Sequence, residues 1–164
     1  MTDRRLLLSL IGAGAVLGVT RVAAASAASP RDLADQFAAT LNAHDIDGFA
    51  TLFAEDYVNH QNSAAAPPPA AGVTPKQGSV AFFAARLKGL PDLKVATEVL
   101  VATEDHVAAS FVYSGTHQGV LFGVPATGKS LRFTSCDIFR VAGGKIVEHW
   151  GMGDIAGVLA QIKG

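Results

Sequence analysis

The sequence predicts an α+β domain: a curved, mostly antiparallel sheet wrapped around N-terminal helices, forming a cone with an apolar pocket. Three observations carry this. Helical periodicity is confined to the first half of the chain. Nearly everything after Pro91 alternates apolar and polar residues and is broken by short turns, the pattern of half-buried antiparallel strands. The 164 residues are 49% apolar and only 16% charged, enough to bury one core and no more.

The chain opens with MTDRRLLLSLIGAGAVLGVTRVAAASAAS. Arg4-Arg5, an apolar run from Leu6 to Val19 and then small residues give the three-part layout of an export signal. The run is shorter than the roughly 20 residues a membrane span needs. Residues 1–29 are therefore read as a twin-arginine-like signal and 30–164 as the mature domain, with an uncleaved anchor as the alternative. Cleavage after Ala23-Ala24-Ala25 or Ala25-Ser26-Ala27 would leave a periplasmic or secreted protein without stable membrane insertion. The single cysteine, Cys136, allows no internal disulfide. A net charge of −1 leaves no basic footprint for nucleic acid. Neither a metal-ligand motif nor a dinucleotide fingerprint is present, so no metal and no cofactor are expected.

Ser29-Pro30-Arg31-Asp32 supplies a cap, a first-turn proline and an acid at the positive helix end. Leu33, Phe37 and Leu41, with Ala34 and Ala38 beside them, then form one apolar stripe. HDIDG interrupts it, and a short helix carrying Phe49, Leu52 and Phe53 is expected to end near Glu55-Asp56. Tyr57 to His60 reads as a short strand or extended turn, followed by a loose loop in which Pro67-Pro68-Pro69 forbids helix. Thr74-Pro75-Lys76-Gln77 is a capping box with proline in the first turn. It opens a helix with Val80, Phe83, Leu87 and Leu90 on its apolar face.

LKVATEVLVAT and HVAASFVYSGT read as a hairpin turning at Glu104-Asp105. HQGVLFGVPATGK is a glycine-rich rim segment. SLRFTSCDIFRV and KIVEHWGM form a second hairpin about Gly143-Gly144, and Asp154 to Ile162 a last helix. With a two-residue turn, Val141 faces Ile146, Phe139 faces Glu148 and Asp137 faces Trp150. Asp137 then shares the inner face with Leu131, Phe133 and Phe139, and continuing the alternation adds Glu148, Trp150, Met152 and Asp154 to it. A one-residue bulge would reverse every assignment beyond it.

A carboxylate among phenylalanines is costly unless paired or hydrogen-bonded, so Asp137 is either a satisfied structural acid or part of a site. Asp137, His60 and Asp154 are the candidate proton handlers. His60 lies near the expected cavity mouth, where a structural hydrogen bond is the alternative. Asp154 is equally suited to cap the final helix, and Glu148 to pair with a lysine or arginine at the surface. Trp150, Phe133, His117, Phe122 and Tyr57 are the candidate pocket-lining residues. His149, of opposite parity to Trp150, is expected to face outward or a partner subunit.

Tyr57-Val58-Asn59-His60, GTHQGVLFGVPATGK and DIFRVAGGKIVEHW resemble the SnoaL-like polyketide cyclase and ester cyclase proteins of the nuclear transport factor 2-like superfamily. The resemblance spans about Arg31 to Gly164. It implies the cone fold and acid–base chemistry without a cofactor, in which a carboxylate aided by a histidine or another polar group moves protons during ring closure. In such relatives an acid commonly follows the tryptophan of the last strand; here Gly151 and Met152 stand there. The function expected is cyclisation, isomerisation or hydrolysis of a small hydrophobic carbonyl compound by an exported homodimer. A non-catalytic binding module and a structural dimer joined through the outer sheet face are the rivals.

Overall fold

In the second half of the chain the strict alternation of large apolar residues builds the sheet. The computed structural model describes residues 27–61 and 70–164. Residues 1–26 of the proposed signal and the triple proline lie outside the described residues. Among the described residues nine elements follow in order: α1 (Pro30–Asn42), α2 (Ile46–Thr51), β1 (Phe53–Asn59), α3 (Pro75–Gly89), β2 (Lys94–Ala102), β3 (His106–Thr116), β4 (Ser130–Ala142), β5 (Lys145–Gly153) and α4 (Ile155–Lys163). The strands form one sheet in the order β1-β5-β4-β3-β2, antiparallel except where β1 runs parallel to β5. This is the α+β architecture the alternation predicts.

Both capping boxes close: Ser29 with Asp32 starts α1, and Thr74 with Gln77 starts α3. The α1 stripe of Leu33, Phe37 and Leu41 is fully buried against the concave face of the sheet. Phe37 is its centre, with ring centroids 5.1–5.2 Å from Phe49, Phe83, Phe111 and Phe139. Asn42 exchanges two 2.8 Å hydrogen bonds with the backbone of Val95. A side-chain amide thus occupies part of the edge of β2, which would otherwise present unpaired groups.

One boundary and one helix face differ from expectation. The second helix ends at Thr51, and Phe53 begins β1, because the Leu52 carbonyl is taken by the amide of Ile146 on β5. The α3 face turned inward carries Ser79, Phe83 and Arg86, while Val80 and Leu87 are only half-buried.

The β4–β5 hairpin decides the site. Gly143 and Gly144 both have positive φ (57° and 71°), as a two-residue turn of this hand requires. Val141 faces Ile146 as expected, but Arg140 then faces Glu148, which leaves Val147 as an extra residue in β5. Beyond that bulge the parity reverses. Phe139 faces His149, Ile138 faces Trp150 and Asp137 faces Gly151. His149 therefore points into the core at 3% exposure, and Trp150 points out at 37%. Both placements correct the sequence expectation, and one unpaired residue causes both.

The outer face is unusually apolar. Val101, Ala108, Ile138 and Trp150 are consecutive register partners across β2, β3, β4 and β5, and so are Val99, Ser110, Cys136 and Met152. Of these, Val99, Val101, Ile138, Trp150 and Met152 are exposed large apolar residues.

Candidate active site

Along β4 the inward side chains are Leu131, Phe133, Ser135, Asp137, Phe139 and Val141. Asp137 sits among aromatic rings as the alternation predicts, and it is not alone. Its Oδ1 lies 2.8 Å from His149 Nε2, and its Oδ2 accepts from the Ser135 hydroxyl at 2.5 Å. His149 Nδ1 lies 3.0 Å from the Tyr57 hydroxyl, which is 3.3 Å from Ser79 Oγ. Asn59 Nδ2 donates to Ser79 Oγ at 3.2 Å. Four elements, β1, α3, β4 and β5, thus contribute to one chain, buried from Ser79 to Ser135 and reaching the surface at Asn59.

One proton assignment gives every donor in this chain an acceptor. Asn59 donates to Ser79, Ser79 to Tyr57, Tyr57 to His149 Nδ1, and His149 Nε2–H to Asp137, whose other oxygen receives Ser135. The carboxylate is then satisfied by two donors, and the imidazole is oriented by partners on both sides. Burial, the largest cause, pushes the Tyr57 phenol well above its usual range. The Ser79 bond opposes that rise and the charge of Asp137 adds to it. Tyr57 therefore stays a neutral donor at ordinary pH.

Gly151 makes the pairing possible. A Cβ built on it would stand 2.7 Å from His149 Nε2 and 2.8 Å from Asp137 Oδ1. Any side chain here would occupy the space through which the histidine reaches the acid. The position after the tryptophan, where the resemblance leads to the expectation of an acid, is in this chain the gap that admits an Asp137–His149 pair.

The remaining predicted residues fall in three places. Tyr57 and Phe133 lie inside, and Phe133 stacks on Tyr113 at 5.1 Å and 4°. His117 is buried in the rim segment, with Nδ1 2.9 Å from Thr127 Oγ1; Phe122 is half-buried, with positive φ (49°) and its ring 6.1 Å from Phe82. His60, Asp154 and Trp150 are not part of the interior group. His60 Nε2 is 2.7 Å from Glu148 Oε2, and its ring stacks on Trp150 at 4.5 Å and 5° on the outer face. Glu148 also pairs with Arg140, and both partners, His60 first, hold its carboxyl below the usual glutamate range. Asp154 caps α4 by accepting from Gly157 N at 2.8 Å. It borders a shallow outer depression of about 450 Å³ shared with Cys136 and Met152.

Sequence reasoning missed His149 and Arg86. The bulge hid the first. Arg86 was legible as the residue three after Phe83 and four before Leu90, on the stripe that turns inward.

A helix-backed, mostly antiparallel five-stranded sheet in this order is the architecture of the nuclear transport factor 2-like cone. The family model for the SnoaL-like polyketide cyclase matches residues 31–162, and the chain belongs to that family. Wild-type IdmH of Streptomyces antibioticus, assigned as a polyketide cyclase, is 30% identical with a TM-score of 0.70, over 82% of this chain and 99% of that one. AclR of Streptomyces galilaeus, assigned as a hydroxylase, is 25% identical with a TM-score of 0.70, over 82% and 80%. A SnoaL-like protein from Jannaschia, 20% identical with a TM-score of 0.67 over 81% and 90%, shares the fold. No curated protein sequence matches significantly.

Proposed function

We propose that this chain is a cofactor-independent acid–base catalyst acting on a small, mostly apolar carbonyl compound, with Asp137 as the proton acceptor and donor. The observation that carries the reading is the buried Ser135–Asp137–His149–Tyr57 chain on the concave face. A carboxylate oriented by two donors takes a proton from the carbon beside a carbonyl and returns it elsewhere. That transfer underlies ring closure and isomerisation alike. His149 holds the carboxylate in place, and Tyr57 fixes the histidine tautomer. Membership of the family and similarity to an assigned polyketide cyclase support a small-molecule ligand.

The test is a thermal-shift collection of small hydrophobic ketones and 1,3-diketones, followed by deuterium exchange at the α-carbon of those that bind. Exchange accelerated by the protein supports the catalyst. Compounds that bind without accelerated exchange support the non-catalytic binding module.

Two further expectations belong to this reading. The protein is exported: Arg4-Arg5→Lys-Lys should leave precursor inside the cell, and normal export of that variant would count against the twin-arginine route. It is a homodimer joined through the two apolar rows of the outer face, since exposed apolar patches of this kind mark association surfaces.

A further inference from the structure

Arg86 is a buried cation that the acid–histidine pair does not account for. Its side chain leaves α3 on the inward stripe and is 5% exposed. Its Cζ lies 4.9 Å from the ring centroids of Phe82 and Phe83, 4.8 Å from Tyr113 and 5.4 Å from Phe133. Among the described residues no carboxylate lies within ion-pairing distance of it, and its Nε has no hydrogen-bond partner. The Tyr113 hydroxyl, also buried, approaches the guanidinium and the Ser135 hydroxyl without closing a hydrogen bond to either.

Aromatic faces attract a guanidinium but offer no lone pairs in the plane of its N–H groups. A buried donor left without an acceptor is costly, and more so when charged. Burial opposes the charged form of Arg86, while Tyr113 and the charge of Asp137 favour it. Cation and carboxylate thus share one interior without touching. The half-buried Phe82 and Phe122 form the outer edge of the aromatic cage.

We propose that Arg86, assisted by the Tyr113 hydroxyl, is the oxyanion-binding group of this site and that the ligand's carbonyl oxygen supplies its missing acceptor. The proposal rests on the acid–base reading above. As the α C–H bond breaks, its proton moves to an Asp137 carboxylate oxygen. The electron pair forms the C=C bond, and the carbonyl π pair becomes the enolate oxygen facing Arg86. A carboxylate and a neutral ketone become a neutral acid and an enolate, so the interior charge does not change. Donors set where charge develops commonly contribute about 10²–10³ in rate.

The probe is a nitrophenol, whose planar phenolate stands for the enolate and differs in colour from the phenol. It is added at a pH below its own pKa. The wild type should bind it as phenolate. Arg86→Met should weaken phenolate binding by about tenfold or more while keeping or raising the denaturant midpoint, since apolar replacements of buried charges are often tolerated. Tyr113→Phe removes one oxygen and keeps the ring, so it carries the same test if the Met variant does not fold; several-fold weaker phenolate binding is expected. Asp137→Asn should tighten phenolate binding by removing a like charge. A wild type that takes up only neutral phenol, or a folded Arg86→Met or Tyr113→Phe protein with undiminished phenolate binding, overturns the proposal. Absent α-carbon exchange in a wild type that still binds phenolate through Arg86 would sink the acid–base reading and leave the anion site standing.

Discussion

Gly151→Ala is a one-methyl perturbation whose sign separates two accounts of the interior. At an unconstrained strand position, alanine reduces the freedom of the unfolded chain and stabilises by about 0.4–1 kcal/mol. Here the added Cβ would lie 2.7 Å from His149 Nε2, 2.8 Å from Asp137 Oδ1 and 2.9 Å from His149 Cε1. All three are inside van der Waals contact, and neither side chain is at a free surface, with exposures of 4% and 6%. The pair cannot stay as it is. Parting a buried, hydrogen-bonded pair of this kind costs about 3–5 kcal/mol when one member is left uncompensated. Moving the histidine aside while Ser135 still serves the acid brings the cost toward the 1–3 kcal/mol of an unsatisfied buried group. A net destabilisation of about 1–4 kcal/mol is therefore expected, read as a lower urea midpoint at unchanged slope. A variant as stable as the wild type, or more so, would refute the claim that Gly151 is kept open by the Asp137–His149 contact.

Three other outcomes follow from the same geometry. Tyr57→Phe removes the donor to His149 Nδ1 and should cost about 1–3 kcal/mol in a denaturant titration, because that nitrogen loses its donor and the Ser79 hydroxyl, which keeps Asn59, loses its acceptor. Glu148 has a lowered pKa in the folded state, so its contribution to stability is complete above the usual glutamate value of 4.5 and is lost as pH falls through the depressed folded value. The midpoint difference between wild type and Glu148→Gln should accordingly be present at neutral pH and vanish in acid; a difference that persists in strong acid would contradict the assigned His60 and Arg140 partners. Met152→Glu, at a position 79% exposed in the outer apolar rows, should turn a dimer into a monomer by light scattering without loss of the monomer fold. A wild type that is already monomeric would remove the proposed interface.

Strands β2 to β5, the caps of α1 and α3 and the inward position of Asp137 were legible in the sequence because each rests on short-range periodicity or on a local hydrogen bond. Phe133, Asp137 and Phe139 follow directly from alternation within β4. The other half of the site was not legible, for a physical reason. Val147 adds one residue to β5 opposite an uninterrupted β4, and nothing in the composition of KIVEHWGM marks it. Hydrophobicity favours the wrong answer there: the larger apolar ring, Trp150, is the natural inward choice. It lies outside instead, covered by His60, while the polar His149 is inside because Asp137, Tyr57 and Gly151 receive it. Arg86 escaped for the opposite reason. A charged residue on a helix reads as solvent-facing; its spacing from Phe83 and Leu90 was the one signal, and the cage of Phe82, Phe83, Tyr113 and Phe133 explains the burial.

Asp137→Asn tests the central claim most directly, with α-carbon deuterium exchange on a bound ketone and the denaturant midpoint measured on the same preparation. Asn keeps an oxygen to accept from His149 Nε2 and an amide to meet Ser135, so the variant should fold and still bind the ketone. Its exchange rate should fall by about a hundredfold or more, the loss of a positioned acid or base. A folded, ligand-binding variant that exchanges at the wild-type rate would show that Asp137 only completes the core.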